Sequence, residues 1–264
     1  MTFAVETSGL TRMFGDQCAV DHVDLQVLPG TFYGFLGPNG AGKSTTIKML
    51  TGLLAPSSGG VSILGLNPFD TDQSLEIKRR IGVVPEDLSL FDNLTARDYL
   101  MFVGRMFLLD KPTIKQRSEE LLTMMRLEKE HTKLTLEYSH GMKKKLALAA
   151  AILPNPDLLF LDEPFEGVDA VTSSVIRDTL AGYISRGSTV FLTSHVLEIV
   201  ERLCTHVGII AEGKLVEQAS LDDLRGADMS LEECFLAKVG STDAPTQKLS
   251  WLEGDEAIPE EGGE

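Results

Sequence analysis

The sequence predicts an α/β domain on a mainly parallel sheet, with an N-terminal antiparallel β subdomain and an inserted α-helical subdomain. Three observations predict it. Runs apolar on both faces recur between helical stretches, at Tyr33–Leu36, Ile81–Val84, Leu158–Leu161, Val190–Thr193 and Val207–Ile210, as expected of strands covered by helices on both sides. Between Ala19 and Val27 the apolar residues Val20, Val23, Leu25 and Val27 alternate with polar ones, which reads as one half-exposed antiparallel strand. From about Thr95 to Leu136 the spacing turns helical, with Tyr99, Phe102, Val103, Met106 and Phe107 on one face and Leu121, Leu122, Met125 and Leu127 on another. No strand pattern interrupts that stretch, and its methionines read as core filling.

Composition narrows the class. The 264 residues are 43% hydrophobic and 24% charged, which excludes a wholly disordered chain, a collagen and a disulfide miniprotein. One folded unit is expected over residues 1–240, with the helical insertion at about 90–150. Residues 241–264 hold one Lys and seven acidic residues with few apolar ones, so an acidic tail without order of its own is expected there. The longest unbroken apolar run, Leu146–Leu153, falls well short of the ~18 residues that span a bilayer. Met1–Leu10 shows no basic segment followed by an apolar one, so no secretory signal is expected. Cys18, Cys204 and Cys234 are far apart and odd in number, which suits reduced thiols in a cytoplasm. A net charge of −15 argues against nucleic acid as a partner, because that affinity comes largely from Lys and Arg on phosphates.

Gly37-Pro38-Asn39-Gly40-Ala41-Gly42-Lys43-Ser44 satisfies G-x-x-x-x-G-K-[ST], directly after the strand Tyr33–Leu36 and before a helical run over Thr45–Leu54. Glycines let successive backbone N–H groups curl around a phosphate, the helix N-terminus adds partial positive charge, and Lys43 adds a full one. The expected nucleotide contacts are Asn39, Gly40, Ala41, Gly42, Lys43, Ser44 and Thr45, with the Ser44 hydroxyl on Mg²⁺. Leu158-Leu159-Phe160-Leu161-Asp162-Glu163 is a buried strand ending in two acids. Asp162 stands where a second Mg²⁺ contact belongs, and Glu163 beside it can polarise the attacking water. The strand Val190–Thr193 ends in Ser194-His195, which brings an imidazole to the same sheet edge.

Together these residues resemble the nucleotide-binding subunit of ATP-binding cassette (ABC) transporters, over roughly Val5–Leu236. Tyr138-Ser139-His140-Gly141-Met142-Lys143 resembles the family's signature Leu-Ser-Gly-Gly-Gln in the form found among exporters of drugs, lipids and polysaccharides. Ser139 and Gly141 match, while His140 and Met142 replace the usual Gly and Gln. The resemblance implies a P-loop NTPase core. It further implies that Phe14 stacks on adenine, that Glu86 stands where a Gln usually contacts Mg²⁺ and the membrane subunit, and that Asp169 of Gly167-Val168-Asp169 communicates with the opposite subunit. Ser230–Leu236 resembles the segment closing many exporter subunits.

By the same resemblance Ser139 and Gly141 contact the ATP held by a second subunit, so that a complete site needs two chains in head-to-tail contact. Lys43, Glu163 and His195 are then the catalytic set, and Ser44, Asp162 and Glu86 the metal set, with ATP and Mg²⁺ as cofactors. The implied partners are permease subunits on separate chains and a second nucleotide-binding subunit, at the cytoplasmic face of the cell membrane. The function expected is an ATP-hydrolysing motor for transport, in the export direction. A rival is an ABC ATPase acting on nucleic acid or ribosomes; such proteins usually carry tandem cassettes or a long coiled coil, and this sequence has one cassette and no sustained heptads.

Overall fold

The computed structural model describes residues 2–226 and 229–240, so the expected tail at 241–264 lies outside the described residues. The N-terminal half runs β1 (Val5–Phe14), β2 (Gln17–Val23), β3 (Gln26–Val27), β4 (Phe32–Leu36), α1 (Lys43–Leu50), β5 (Ser58–Ile63), α2 (Thr71–Arg80) and β6 (Ile81–Val84). Helices follow: α3 (Ala96–Met106), α4 (Lys111–Met124) and α5 (His140–Ile152). The rest runs β7 (Leu158–Asp162), α6 (Ala170–Ile184), β8 (Thr189–Ser194), α7 (Leu197–Leu203), β9 (His206–Ala211), β10 (Lys214–Ser220), α8 (Leu221–Gly226) and α9 (Leu231–Val239).

Six strands form the main sheet in the order β10-β9-β4-β8-β7-β6. All neighbours pair in parallel except β10, which is antiparallel to β9. Alternate side chains leave a strand on opposite faces, and here each face meets its own core. Leu36, Leu159, Leu161, Val190 and Leu192 pack with the helices, whereas Tyr33, Phe35, Phe160 and Phe191 pack against α1 and the antiparallel sheet. That double burial is why these strands are apolar on both faces. At the centre the rings of Tyr33 and Phe191 stack with centroids 5.3 Å apart.

In the second sheet β1 pairs antiparallel with β2, β3 and β5. The single strand expected over Ala19–Val27 is instead two. Thr7 sits in the break: its Oγ1 donates to Val23 O (2.7 Å) and accepts from Leu25 N (2.8 Å), replacing the ladder bonds lost where the chain bends. β1, β5 and β10 are additions to the expected strands; Gly9 in β1 and Gly59-Gly60 in β5 dilute the pattern. Helix α1 begins at Lys43 and ends at Leu50, earlier at both ends than expected, and Gly52 turns the chain at φ +73°.

The inward face of α3 is also corrected. Its buried residues are Ala96, Leu100 and Gly104, and a Cβ on Gly104 would stand 2.6 Å from Ile114 of α4. Small residues mark the close crossing of the two helices. Tyr99 and Val103 are partly buried, but Phe102 is 42% and Met106 67% exposed, so this Met is not core filling. The outward stripe borders a groove of about 470 Å³ between Pro85–Leu90 and Tyr99, Val103 and Phe107.

Candidate functional site

The register of the sheet assembles the site. Leu36 lies opposite Ser194, and Asp162 opposite Thr193. The next residues along these strands, Gly37, His195 and Glu163, therefore leave one edge side by side. They open into a cleft of about 730 Å³ lined by Phe14, Gln17, Cys18, Ala19, Asn39, Gly40, Gly42, Lys43, Ser44, Thr45, Glu86, Glu163, Glu166, His195, Glu212 and Gly213.

The bend of the loop after β4 rests on two glycines with positive φ. Gly42 caps α1 at φ +107°, and a Cβ there would stand 2.5 Å from Ala19 O. Gly40 has φ +81°. These conformations are open to glycine, and they aim the start of α1 at the cleft. Ala41 sits under the loop, buried, with its N–H on Pro38 O (3.1 Å). Lys43 Nζ donates to Gly37 O (2.7 Å) and Pro38 O (3.3 Å), and lies 3.3 Å from Glu163 Oε1. That spacing is an ion pair without hydrogen-bond alignment; Glu163 Oε1 is buried with no hydrogen-bond donor.

Ser44 Oγ stands between two carboxylates, 3.3 Å from Asp162 Oδ1 and 3.3 Å from Glu86 Oε2. The same Asp162 Oδ1 accepts from buried Thr193 Oγ1 (2.6 Å), which in turn accepts from Glu163 N (3.0 Å). One hydroxyl thereby sets the spacing of both acids. His195 Nδ1 is 3.1 Å from Glu163 Oε2. Glu163 itself has φ +46°, a left-handed conformation that costs a residue with a Cβ about 1–3 kcal/mol. Phe14 projects at the rim, with the Arg12 guanidinium 4.6 Å from its ring centroid, a stacking distance for a cation on an aromatic face.

Ser139, Gly141 and Asp169 lie outside this cleft, at the starts of α5 and α6. Ser139 Oγ caps α5, accepting from Met142 N (3.3 Å). Asp169 caps α6, accepting from Thr172 N (2.8 Å) and Thr172 Oγ1 (2.9 Å), and these bonds hold its carboxyl below the ordinary aspartate value. The two caps abut: a Cβ on Gly141 would stand 3.1 Å from Thr172 Oγ1, and one on Gly167 3.4 Å from the His140 ring.

Sequence reasoning missed Thr193, Lys144 and the rim residues Gln17, Cys18, Glu212 and Gly213. Lys144 carries a signal in helical phase, four residues before buried Leu148. Thr193 becomes informative only once its register with Asp162 is known.

The fit to a nucleotide and a cation is direct. The glycine bend is a cradle that side chains would fill, and Ser44 with Asp162 supplies hard oxygen donors of the kind Mg²⁺ takes. Comparison with known proteins agrees on the nucleotide. The model of the ABC transporter family matches residues 20–166. The bacitracin transport ATP-binding protein BcrA of Bacillus licheniformis is 42% identical over 226 residues, covering 85% of this chain and 72% of its own length. The daunorubicin/doxorubicin resistance ATP-binding protein DrrA of Streptomyces peucetius is 36% identical over 226 residues, covering 86% and 68%. Among solved structures, an ATP-binding subunit of an ABC transporter superposes with TM-score 0.81 at 29% identity over 89% of this chain and 98% of its own. A dimeric ATP-binding cassette in a post-hydrolysis state with ADP and Pi gives 0.74 at 26% over 82% and 98%. With the family model matched over residues 20–166 and relatives of this identity covered over more than two thirds of their length, this chain belongs to the ABC transporters as an ATP-hydrolysing subunit.

Proposed function

We propose that the chain drives export of a small molecule across the cell membrane, paired head to tail with a second nucleotide-binding subunit and docked on permease subunits encoded separately. The observation that carries the pairing is spatial: Lys43, Ser44, Glu163 and His195 line one cleft, while Ser139 and Asp169 cap helices outside it and Gly141 lies in the first turn of α5. The second set is free to meet the nucleotide of a partner. Support for export comes from the relatives named for bacitracin transport and for daunorubicin/doxorubicin resistance.

In this reading the N–H groups of residues 39, 40 and 42–45 and Lys43 Nζ bind the phosphates of ATP, while the Ala41 N–H stays on Pro38 O, and Phe14, held by Arg12, offers its free face to the base. Ser44 and Asp162 would hold Mg²⁺, with Glu86 as a third oxygen donor, and the bound ion would supply charge neutralisation on the transferred phosphoryl group. Glu163 accepts a proton from the attacking water, and His195, bonded to its other oxygen, orients it and faces the γ-phosphate. The groove below Glu86 suits an apolar segment of the permease: Leu88 and Leu90 line it beside Pro85. No helix among the described residues is long and apolar enough to cross a membrane, so the proposed place is the cytoplasmic membrane face, held there by the permease.

The test is Glu163→Gln, which keeps shape and hydrogen-bonding reach while removing the basic oxygen. ATP binding should survive as turnover falls by roughly 10²-fold or more, and an ATP-dependent dimer should accumulate in light scattering. Wild-type turnover with no ATP-dependent association would overturn the assignment. Export itself is read by reconstitution with the permease in inverted vesicles, where ATP should drive accumulation of bacitracin-like or anthracycline probes.

A further inference from the structure

Three consecutive lysines, Lys143 to Lys145, end and follow the signature segment, and they behave differently. Lys143 and Lys145 are half-buried, whereas Lys144 is 3% exposed. A buried ammonium is costly unless its protons are satisfied. Here Nζ donates to Glu163 O (2.7 Å) and to Glu166 O (2.7 Å). Those carbonyls open and close one turn, since Glu166 N also donates to Glu163 O (3.2 Å). Burial lowers the Lys144 pKa, while Glu166, Glu163, Glu86 and Asp162 work the other way and favour its charged form.

Glu163 therefore has its N–H fixed by Thr193 and its carbonyl fixed by Lys144, on either side of a left-handed φ of +46°. A strained conformation persists only where its surroundings over-determine it, and these two bonds supply that constraint. The origin of the second bond matters. Lys144 lies on α5, whose first turn carries Ser139 and Gly141, so one rigid helix holds both the signature residues and the backbone of the proposed base.

We propose that Lys144 is a positioning residue for ATP hydrolysis: it staples the turn Glu163–Glu166 to the signature helix and thereby sets the Glu163 carboxylate relative to the phosphate loop. The inference rests on Glu163 as the base. Lys144 touches no substrate in this role, so its loss should act on the chemical step and leave nucleotide binding alone.

The experiment compares Lys144→Met and Lys144→Gln with wild type and with Glu163→Gln, using full-length protein, steady-state ATPase kinetics and binding of a fluorescent ATP analogue. The Met variant keeps side-chain length without donors; kcat should fall ~10²-fold, the loss expected when a reacting group is misplaced by about 1 Å, with KM for ATP and analogue affinity within ~2-fold. The Gln variant retains N–H donors for the turn, and its kcat should fall only ~10-fold, a partial rescue. A Met variant with kcat within twofold of wild type overturns the proposal, as does a parallel loss of kcat and nucleotide affinity in both variants, which would mark a general packing role. If the Met variant does not fold, the Gln variant decides: kcat within twofold of wild type overturns the proposal, and a ~10-fold fall at constant KM sustains it. Turnover by Glu163→Gln at the wild-type rate removes the base assignment, and the proposal with it, whatever Lys144 does; inactivity of Glu163→Gln beside an active Lys144→Met removes the Lys144 role alone.

Discussion

Replacing Thr193 by Val changes a hydroxyl to a methyl of the same shape, at a fully buried position. Two interactions go. The Oγ1 bond to Asp162 Oδ1 at 2.6 Å involves a carboxylate, and such bonds contribute about 1.5–3 kcal/mol net. The Glu163 N–H, which donates to the same oxygen at 3.0 Å, is left buried without an acceptor, at about 1–3 kcal/mol. The added methyl returns about 1 kcal/mol of apolar burial. The balance is a destabilisation of about 1.5–5 kcal/mol for Thr193→Val, against about 1 kcal/mol for Thr193→Ser, which loses one methyl and keeps both bonds. Urea denaturation separates the two: the Val variant should unfold at a clearly lower midpoint with an unchanged slope, and the Ser variant near wild type. Activity should follow the same order, because the hydroxyl spaces both acids. Equal midpoints for Val and Ser would sink the argument, since they would mean that the hydroxyl contributes nothing beyond its volume.

Gly42→Ala forces a Cβ into a left-handed bend 2.5 Å from Ala19 O; strain of about 1–3 kcal/mol should weaken ATP binding by roughly tenfold or more, and a variant with both wild-type affinity and wild-type stability would show that the bend can relax. For Asp169, Thr172 holds the native carboxyl below the ordinary value of 3.8, so the charge stabilises the fold above that value and the benefit is lost as pH falls through the lower native one. The difference in unfolding midpoint between wild type and Asp169→Asn should therefore narrow from pH 5 to pH 3 (on the order of the carboxylate range), and a constant difference would contradict the sign.

The legible parts of this molecule are those where one local pattern meets one local demand. Strands β4, β7 and β8 are apolar on both faces because both faces are covered, and the phosphate loop needs its glycines within a few residues of one another. The parts that escaped depend on partners distant in sequence. The break between β2 and β3 is held by Thr7, which belongs to another strand. The inward face of α3 is built from Ala96, Leu100 and Gly104 because α4 crosses there, while the more apolar stripe faces outward onto a groove. Among site residues, Lys43, Ser44, Asp162, Glu163 and His195 announce themselves by motif and strand end. Thr193 does not, and the helical phase of Lys144 shows its burial without its partner, since the groups they hold lie 31 and 19 residues away.

The left-handed backbone of Glu163 sets a conflict between persistence and turnover. Glycine at this position would release that strain, and it would also remove the carboxylate that pairs with buried Lys43 and with His195. Any durability gained by relaxing this backbone would therefore come only with the loss of the carboxylate proposed as the base. Thermal hardiness and throughput must be selected together here, because a single dihedral angle sets them against each other.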